Sequence, residues 1–238
     1  MRAARAYPGY NLRPENGRAA STPIPFRAER KREETMKLIN SVGPNPHVVR
    51  MFMAERGITL PMEDIDLMAG ENRQSAFLAK NPSGQSPCLL LDDGSYLSEI
   101  TVICEYLDEK FPGPSLIGAN AEERGEARMW TRRVDLNICE PLTNGFRFAE
   151  GLALFKDRIV TVPEAAPGLK RIAQDRLRWL DGQIAGRTFL CGERLTLADV
   201  LLYCFLAFGN AVGQPLNPEF THVKAWFDRM AARPSAAA

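Results

Sequence analysis

The hydrophobic period of this chain changes once, across "FPGPSLIGAN", residues 111–120. Two prolines and two glycines in ten residues interrupt any helix or strand. Before this break, short apolar runs alternate with helical segments; after it, the apolar stripes repeat only at helical spacing. A chain divided in this way folds as a small sheet carrying helices, followed by an all-helical unit. The division predicts an α/β unit over 36–112, a linker over 113–120 and an all-α unit over 121–238.

In the first unit "KLINS" reads as a strand and "PHVVRMFMAER" as a helix. That helix is expected to start at Asn45–Pro46 and leave at Gly57, because Asn caps well, Pro suits the first helical position and Gly suits the exit. "MEDIDL" is the next strand, and "RQSAFLAK" a short helix stopped by Asn81–Pro82. "PCLLLDD" has the continuous apolar character of a strand buried on both faces. "DDGS" is a hairpin signal that turns "YLS" antiparallel. Ile100, Ile103 and Leu107 then return to helical spacing, so the sheet is mixed. Helices are predicted over 121–150, 165–185, 196–209 and 218–231. The third has Thr196 as N-cap, Asp199 three residues on, and Leu195 facing Val200 as a hydrophobic staple.

Charge and cysteine usage narrow the function classes. The net charge of +1 points to neither nucleic acid nor an anionic surface. The longest strictly apolar run, "VLLYCFLAF" (200–208), falls far short of the about 20 residues that span a bilayer. Residues 1–35 hold eight Lys/Arg against four Asp/Glu and four prolines, with no period, and read as a disordered leader. A transit peptide is an alternative that the four glutamates oppose. We favour an early-called start, with Met36 opening the first strand. The five cysteines are scattered in apolar surroundings without a CxxC pair, the pattern of reduced thiols in the cytoplasm. Two histidines are too few and too distant to suggest a metal site.

Four segments in order then resemble the glutathione transferases. They are "SVGPNPHVVRMFMAERGI", "FLAKNPSGQSPCLLLDDGSYLSEITVICEYL", "GERLTLADV" and "HVKAWFDRMAARPS". The "PNP" turn, the "AGENR" stretch before "FLAKNP" and the "PLT" segment are similar to a bacterial and fungal subgroup of yeast Gtt type. The resemblance implies a thioredoxin-like α/β domain with an all-α domain behind it, a homodimer, glutathione as co-substrate and no metal. It implies that Pro87 is cis and that Ser86 pairs through its backbone with the cysteinyl part of glutathione, as an added strand would. Glu99 occupies the position that meets the γ-glutamyl amine. The helix starting at 99–100 points its first N–H groups at the neighbouring carboxylate. Alone, Glu99 reads as an acid favoured by a helix N-terminus. Where the family usually has Ser after this Glu, the chain has Ile100, which removes a hydroxyl worth roughly 1 kcal/mol. Arg73 and Lys80 are candidates for the glycyl carboxylate, Arg73 first, or plain surface charge.

The family's chemistry uses a glutathione thiolate. Lowering a thiol from near 8.5 by about 2 units requires roughly 2.7 kcal/mol. A helix N-terminus supplies about 0.3–1 kcal/mol, so a hydrogen bond to the sulfur, worth roughly 1.5–3 kcal/mol, is needed as well. The usual Tyr is absent, and the position that often bears Ser, Thr or Cys is Gly43. Pro44 and Pro46 carry no N–H, which leaves Ser41 and the amide of Asn45. Asn45 ranks first, with capping alone as its other role. In the resembled subgroup α-domain residues hold a water near the sulfur; the matching positions are Thr143 and Arg147, four apart on one face. Both also read as ordinary helix residues. Cys88 reads as filler. Phe146, Phe148 and Phe155 are candidate walls for a small hydrophobic electrophile.

Three classes follow: a glutathione transferase, a glutathione-dependent reductase or peroxidase, and a non-catalytic binding protein that kept the fold. The absence of Cys from the turn opposes the second, and Gly43, Ser86 and Ile100 keep the third open.

Overall fold

The computed structural model describes residues 36–238; the leader expectations for residues 1–35 lie outside the described residues. Strand β1 (Lys37–Asn40), helix α1 (Pro44–Arg56) and strand β2 (Met62–Asp64) form a parallel crossover unit. Strand β3 (Cys88–Leu90) adds antiparallel to the other side of β1, and β4 (Tyr96–Leu97) pairs antiparallel at the edge. The sheet order is therefore β2-β1-β3-β4. All three residues of β3 are buried, as the unbroken apolar run required. A 3-10 turn (Glu71–Arg73) and α2 (Ser75–Leu78) fill the loop before β3, and α3 (Ile100–Lys110) follows β4.

Helix α1 starts two residues earlier than its sequence suggests. Gly43 takes the cap position at φ 114°, ψ 174°, a conformation that only glycine adopts without strain, and Pro44 opens the helix. Asn45 therefore lies inside the first turn, and its side chain makes no capping bond. This corrects the expectation that it caps.

The expected helix over 121–150 is bulged. It runs as α4 (Ala121–Val134), a π turn (Asp135–Cys139) and α5 (Glu140–Arg147). Pro141 is the physical cause: it lacks an N–H, and its ring crowds the carbonyl four residues back, so the helix widens to an i→i+5 register before it. A short α6 (Leu152–Phe155) follows, then α7 (Ala166–Gln183), α8 (Leu197–Ala211) and α9 (Thr221–Ala231).

Helix α8 runs through the core with one face against α1 and another against α4. Its capping box forms as expected: Thr196 N–H donates to Asp199 Oδ2 at 3.0 Å. The fully buried Asp199 also accepts from Leu190 N–H and Trp226 Nε1, both at 2.9 Å. Burial raises its pKa against the pull of these donors. The segment after α3 is pinned to α1 by Arg56. That guanidinium donates to the carbonyls of Phe111 (2.7 Å) and Pro114 (2.5 Å), and its Nε stands 2.9 Å from Asp108 Oδ1. Sheet and helices thereby share one continuous core. Among the described residues no helix is long and apolar enough to cross a membrane.

Candidate active site

Two cavities open where the loops of the sheet face helices α5 and α8, and they share a wall made of Asn45, Gln85 and Ser86. They differ in charge. The larger, about 230 Å³, has Arg73 and Arg147 as its charged lining residues, with no carboxylate among the described ones. The smaller, about 110 Å³, is lined by Glu99, Asp135 and Glu140 and by no described cation.

The shared wall begins at the end of β1. Asn40 donates to Asp64 Oδ1 at 2.6 Å and accepts from Arg50 Nη1 at 2.7 Å. Arg50 also reaches the Ser41 carbonyl at 3.2 Å and so fixes the turn into α1. The Ser41 hydroxyl is buried and bonded to Ser86 Oγ at 2.8 Å, which ties the turn to the loop before β3. Its proton is thus engaged within the protein. Asn45 differs. The first helical bond of α1 is His47 N–H to Gly43 O at 3.3 Å, and Pro44 and Pro46 have no N–H to offer. In that turn the Asn45 amide is the N–H left open, and among the described residues its side chain has no hydrogen-bond partner. One residue brings two donors to the junction of the cavities.

The loop over residues 81–87 completes that wall. The Ser86–Pro87 peptide is cis. Neither the N–H nor the C=O of Ser86 bonds to another backbone group among the described residues. Two asparagines hold the loop in place: Asn72 donates to Gly84 O at 2.6 Å and Asn81 to Gln85 O at 2.7 Å. Gly84 has φ +63°, and a Cβ there would stand 2.9 Å from Arg73 Nη1, so glycine serves both the backbone and the arginine.

In the smaller cavity Glu99 sits at φ +71°, rare for a side-chain-bearing residue. Ile103 N–H closes the first turn of α3 on the Glu99 carbonyl at 2.8 Å. The N–H groups of Ile100 and Thr101 precede that bond, and both residues line the cavity. Ile100 packs partly against the core, which explains how an apolar side chain is accommodated at a ligand-facing helix start. Asp135 and Glu140 enter from the π turn. Burial first, then Glu140, raises the pKa of Asp135, with Arg132 opposing and Glu99 adding to the rise. Sequence reasoning missed both acids, because only the bulge brings residues five apart onto one face.

Thr143 and Arg147 both line the larger cavity. Thr143 Oγ1 donates back to Cys139 O at 2.7 Å, so only a lone pair of its oxygen remains for a ligand. Arg147 donates to Asn144 Oδ1 at 3.0 Å and lies over the Phe155 ring, 5.7 Å from its centroid. Desolvation lowers its pKa; Glu140 opposes this and Arg73 adds to it. Phe146 packs edge-on against Phe155 and Phe208, with centroids 6.1 and 5.0 Å away. Phe208 and Leu154 stand in the wall where Phe148 was expected. Arg158, outside the lining, holds the Leu67–Met68 wall by donating to Leu67 O (2.7 Å) and Met68 O (3.0 Å). Lys80 is not brought to either cavity: it faces Glu63, 3.4 Å away, across the sheet edge.

Cys88 is fully buried, and desolvation pushes its thiol up to about 11. All five cysteines are buried, with thiols raised first of all by desolvation. None lines either cavity, so the reductase alternative lacks a thiolate nucleophile.

Comparison with known proteins agrees with this architecture. Residues 42–110 match the glutathione S-transferase N-terminal domain and residues 156–234 the glutathione S-transferase C-terminal domain. Glutathione S-transferase 2 of Saccharomyces cerevisiae is 30% identical over 212 residues, covering 87% of this chain and 90% of that protein. A glutathione S-transferase domain-containing protein of Marinobacter aquaeolei superposes with a TM-score of 0.78 at 35% identity, over 84% of this chain and 99% of the other. The crystal structure of Gtt2 from Saccharomyces cerevisiae gives a TM-score of 0.79 at 29% identity, over 84% and 98%. The chain belongs to the glutathione S-transferase family.

Proposed function

We propose that the protein is a glutathione transferase that joins the glutathione thiolate to small electrophiles. The supporting observation is the opposite charge of two cavities that meet at Asn45. Glutathione is itself zoned: an ammonium and a carboxylate at the γ-glutamyl end, a thiol in the middle and a carboxylate at the glycyl end. The ammonium fits among Glu99, Asp135 and Glu140, and its neighbouring carboxylate fits the open N–H groups of Ile100 and Thr101 at the start of α3. The cysteinyl backbone pairs with Ser86 beside Pro87, and the glycyl carboxylate meets Arg73. The sulfur then lies at Asn45.

Asn45 acts by its backbone N–H and its side-chain NH₂, both donors and both at the N-terminus of α1. Hydrogen bonds to a charged sulfur are worth about 1.5–3 kcal/mol each, and the helix end adds about 0.3–1 kcal/mol. Together these exceed the roughly 2.7 kcal/mol needed to hold the thiolate at neutral pH. Ser41 supports the wall through Ser86, and Thr143 closes the cavity opposite. The aromatic wall of the larger cavity receives the electrophile. Homodimer formation belongs to the same reading: exposed Val102 on α3 and Met129 and Leu136 on α4 and its π turn offer an apolar face. So do the division at 113–120 and a cytoplasmic location.

The test is a conjugation assay with the full chain, glutathione and an activated aryl halide. Turnover above the uncatalysed rate that Asn45→Ala cuts at least tenfold supports the reading. Tight glutathione binding without turnover on any of several electrophile classes would favour the non-catalytic binding protein instead.

A further inference from the structure

The larger cavity carries one more positive charge than glutathione accounts for. Arg73 and Arg147 line it without a described carboxylate, and within the proposed transferase reading the glycyl carboxylate engages Arg73 alone. Arg147 keeps one protein hydrogen bond among the described residues, from Nη1 to Asn144 Oδ1, so Nε and Nη2 are uncommitted. Asn144 in turn donates to Glu140 Oε2 at 3.1 Å. Glu140 lines the other cavity, so this chain anchors Arg147 without placing a carboxylate against it.

The surroundings say what the arginine is for. Its guanidinium lies over Phe155, 5.7 Å from the ring centroid, and Phe146, Leu154, Ile159 and Phe208 line the same cavity. Nearby, Arg73 Nε and Asn72 Oδ1 are buried without partners among the described residues. A planar cationic fork held against an apolar wall recognises a planar anion carried on an apolar body. We infer that the electrophile taken by this protein is an aromatic or unsaturated carboxylate, its body against the phenylalanines and its carboxylate on Arg147. The inference rests on the transferase reading and adds the substrate class to it. For an aryl halide the step balances without an oxidant: the thiolate forms the C–S bond, the C–Cl bond breaks, and chloride leaves with the electron pair.

The test pairs a chloronitrobenzoate with the chloronitrobenzamide of the same substitution pattern, nearly equal in shape and different in charge. Each kcat/KM is divided by the uncatalysed rate constant. A charge-assisted pair predicts a preference for the carboxylate of about tenfold or more. Arg147→Gln lowers that preference to near unity and Arg147→Lys restores part of it, whereas Arg73→Gln weakens glutathione binding. Calorimetry with glutathione on each variant keeps misfolding apart from lost selectivity. Binding of the inert nitrobenzoate and nitrobenzamide without glutathione separates the two claims. Nitrobenzoate preferred by a protein that binds no glutathione would end the transferase reading and keep the anion site. Equal handling of acid and amide by the unaltered protein, or an unchanged preference in Arg147→Gln, overturns the inference.

Discussion

Glu140 donates its backbone N–H to the carbonyl of Asp135, five residues earlier, and this single π turn brings both side chains to one cavity. In an α-helix five residues turn through about 500°, which leaves the two side chains about 140° apart. Pro141 forces the wider register. Replacing Pro141 with Ala is expected to restore the α register and turn one acid away. Glutathione affinity should fall about tenfold or more, as for the loss of one charged partner. The deaminated analogue, which lacks the ammonium, should bind both proteins alike by calorimetry.

Asn45→Ala removes one of two donors to the sulfur and leaves the backbone N–H. The pKa of bound glutathione should rise by about 1–2 units, the equivalent of one hydrogen bond to a charged group. Ultraviolet absorbance of the thiolate against pH reads this directly. A pKa equal to that of the unaltered complex would move the thiolate partner elsewhere.

Ile100→Ser returns a hydroxyl to the start of α3 beside two open N–H groups. Glutathione should bind about fivefold more tightly, the value of one neutral hydrogen bond. The same change removes partly buried apolar surface, so the protein should lose roughly 1 kcal/mol of stability. Affinity by calorimetry and stability by denaturant titration should therefore move in opposite directions.

Gly84→Ala places a Cβ at φ +63° and 2.9 Å from Arg73 Nη1. Backbone strain of about 1 kcal/mol and displacement of the guanidinium follow. The loss should fall on glutathione affinity more than on melting temperature, since the loop lies outside the β1–β3 ladder.

Acid should release the C-terminal segment from α1. Glu55 accepts from Arg233 Nε at 2.6 Å and Nη2 at 2.8 Å, and also from Ser235. The Arg233 bonds hold its carboxyl below the usual 4.5 against the cost of burial. That stability is complete above 4.5 and is lost as pH falls through the lower folded value. His47, at 3.1 Å from Ala236 O, is lowered from 6.5 chiefly by burial, with Arg50 adding to the fall and the carbonyl opposing it. The unfolded chain then takes up the proton first, so stability begins to fall below 6.5 and continues down to the folded value. The hydrogen-exchange protection factors of the amides in residues 233–237, which correct for the pH dependence of intrinsic exchange, should therefore fall in two stages on acidification. Glu55→Gln should remove the lower stage alone.

The fold was legible because local signals and hydrophobic period agreed. The break at 111–120, the buried run at Cys88 and the capping box of Thr196 and Asp199 each depend on neighbours in sequence. The candidate site was legible in part: Ser86, Pro87 and Glu99 belong to short motifs and line the cavities, and so does Asn45, whose role at the sulfur is a proposal. Asp135 and Glu140 were hidden because a π register violates the 3.6-residue period by which helix faces are read. Lys80, read after Arg73 as a candidate for the glycyl carboxylate or as plain surface charge, lines neither cavity and faces Glu63, 17 residues earlier in the chain. The π turn before Pro141 also escaped, since residues 121–150 read as one helix.

The most direct measurement is titration calorimetry of the full chain with glutathione, repeated with S-methylglutathione, in two buffers of different ionisation enthalpy. The account predicts binding in both cases, with close to one proton released for glutathione and none for the thioether. Glutathione binding without proton release would contradict a thiolate at Asn45, and no binding of either ligand would contradict the reading of the two charged cavities.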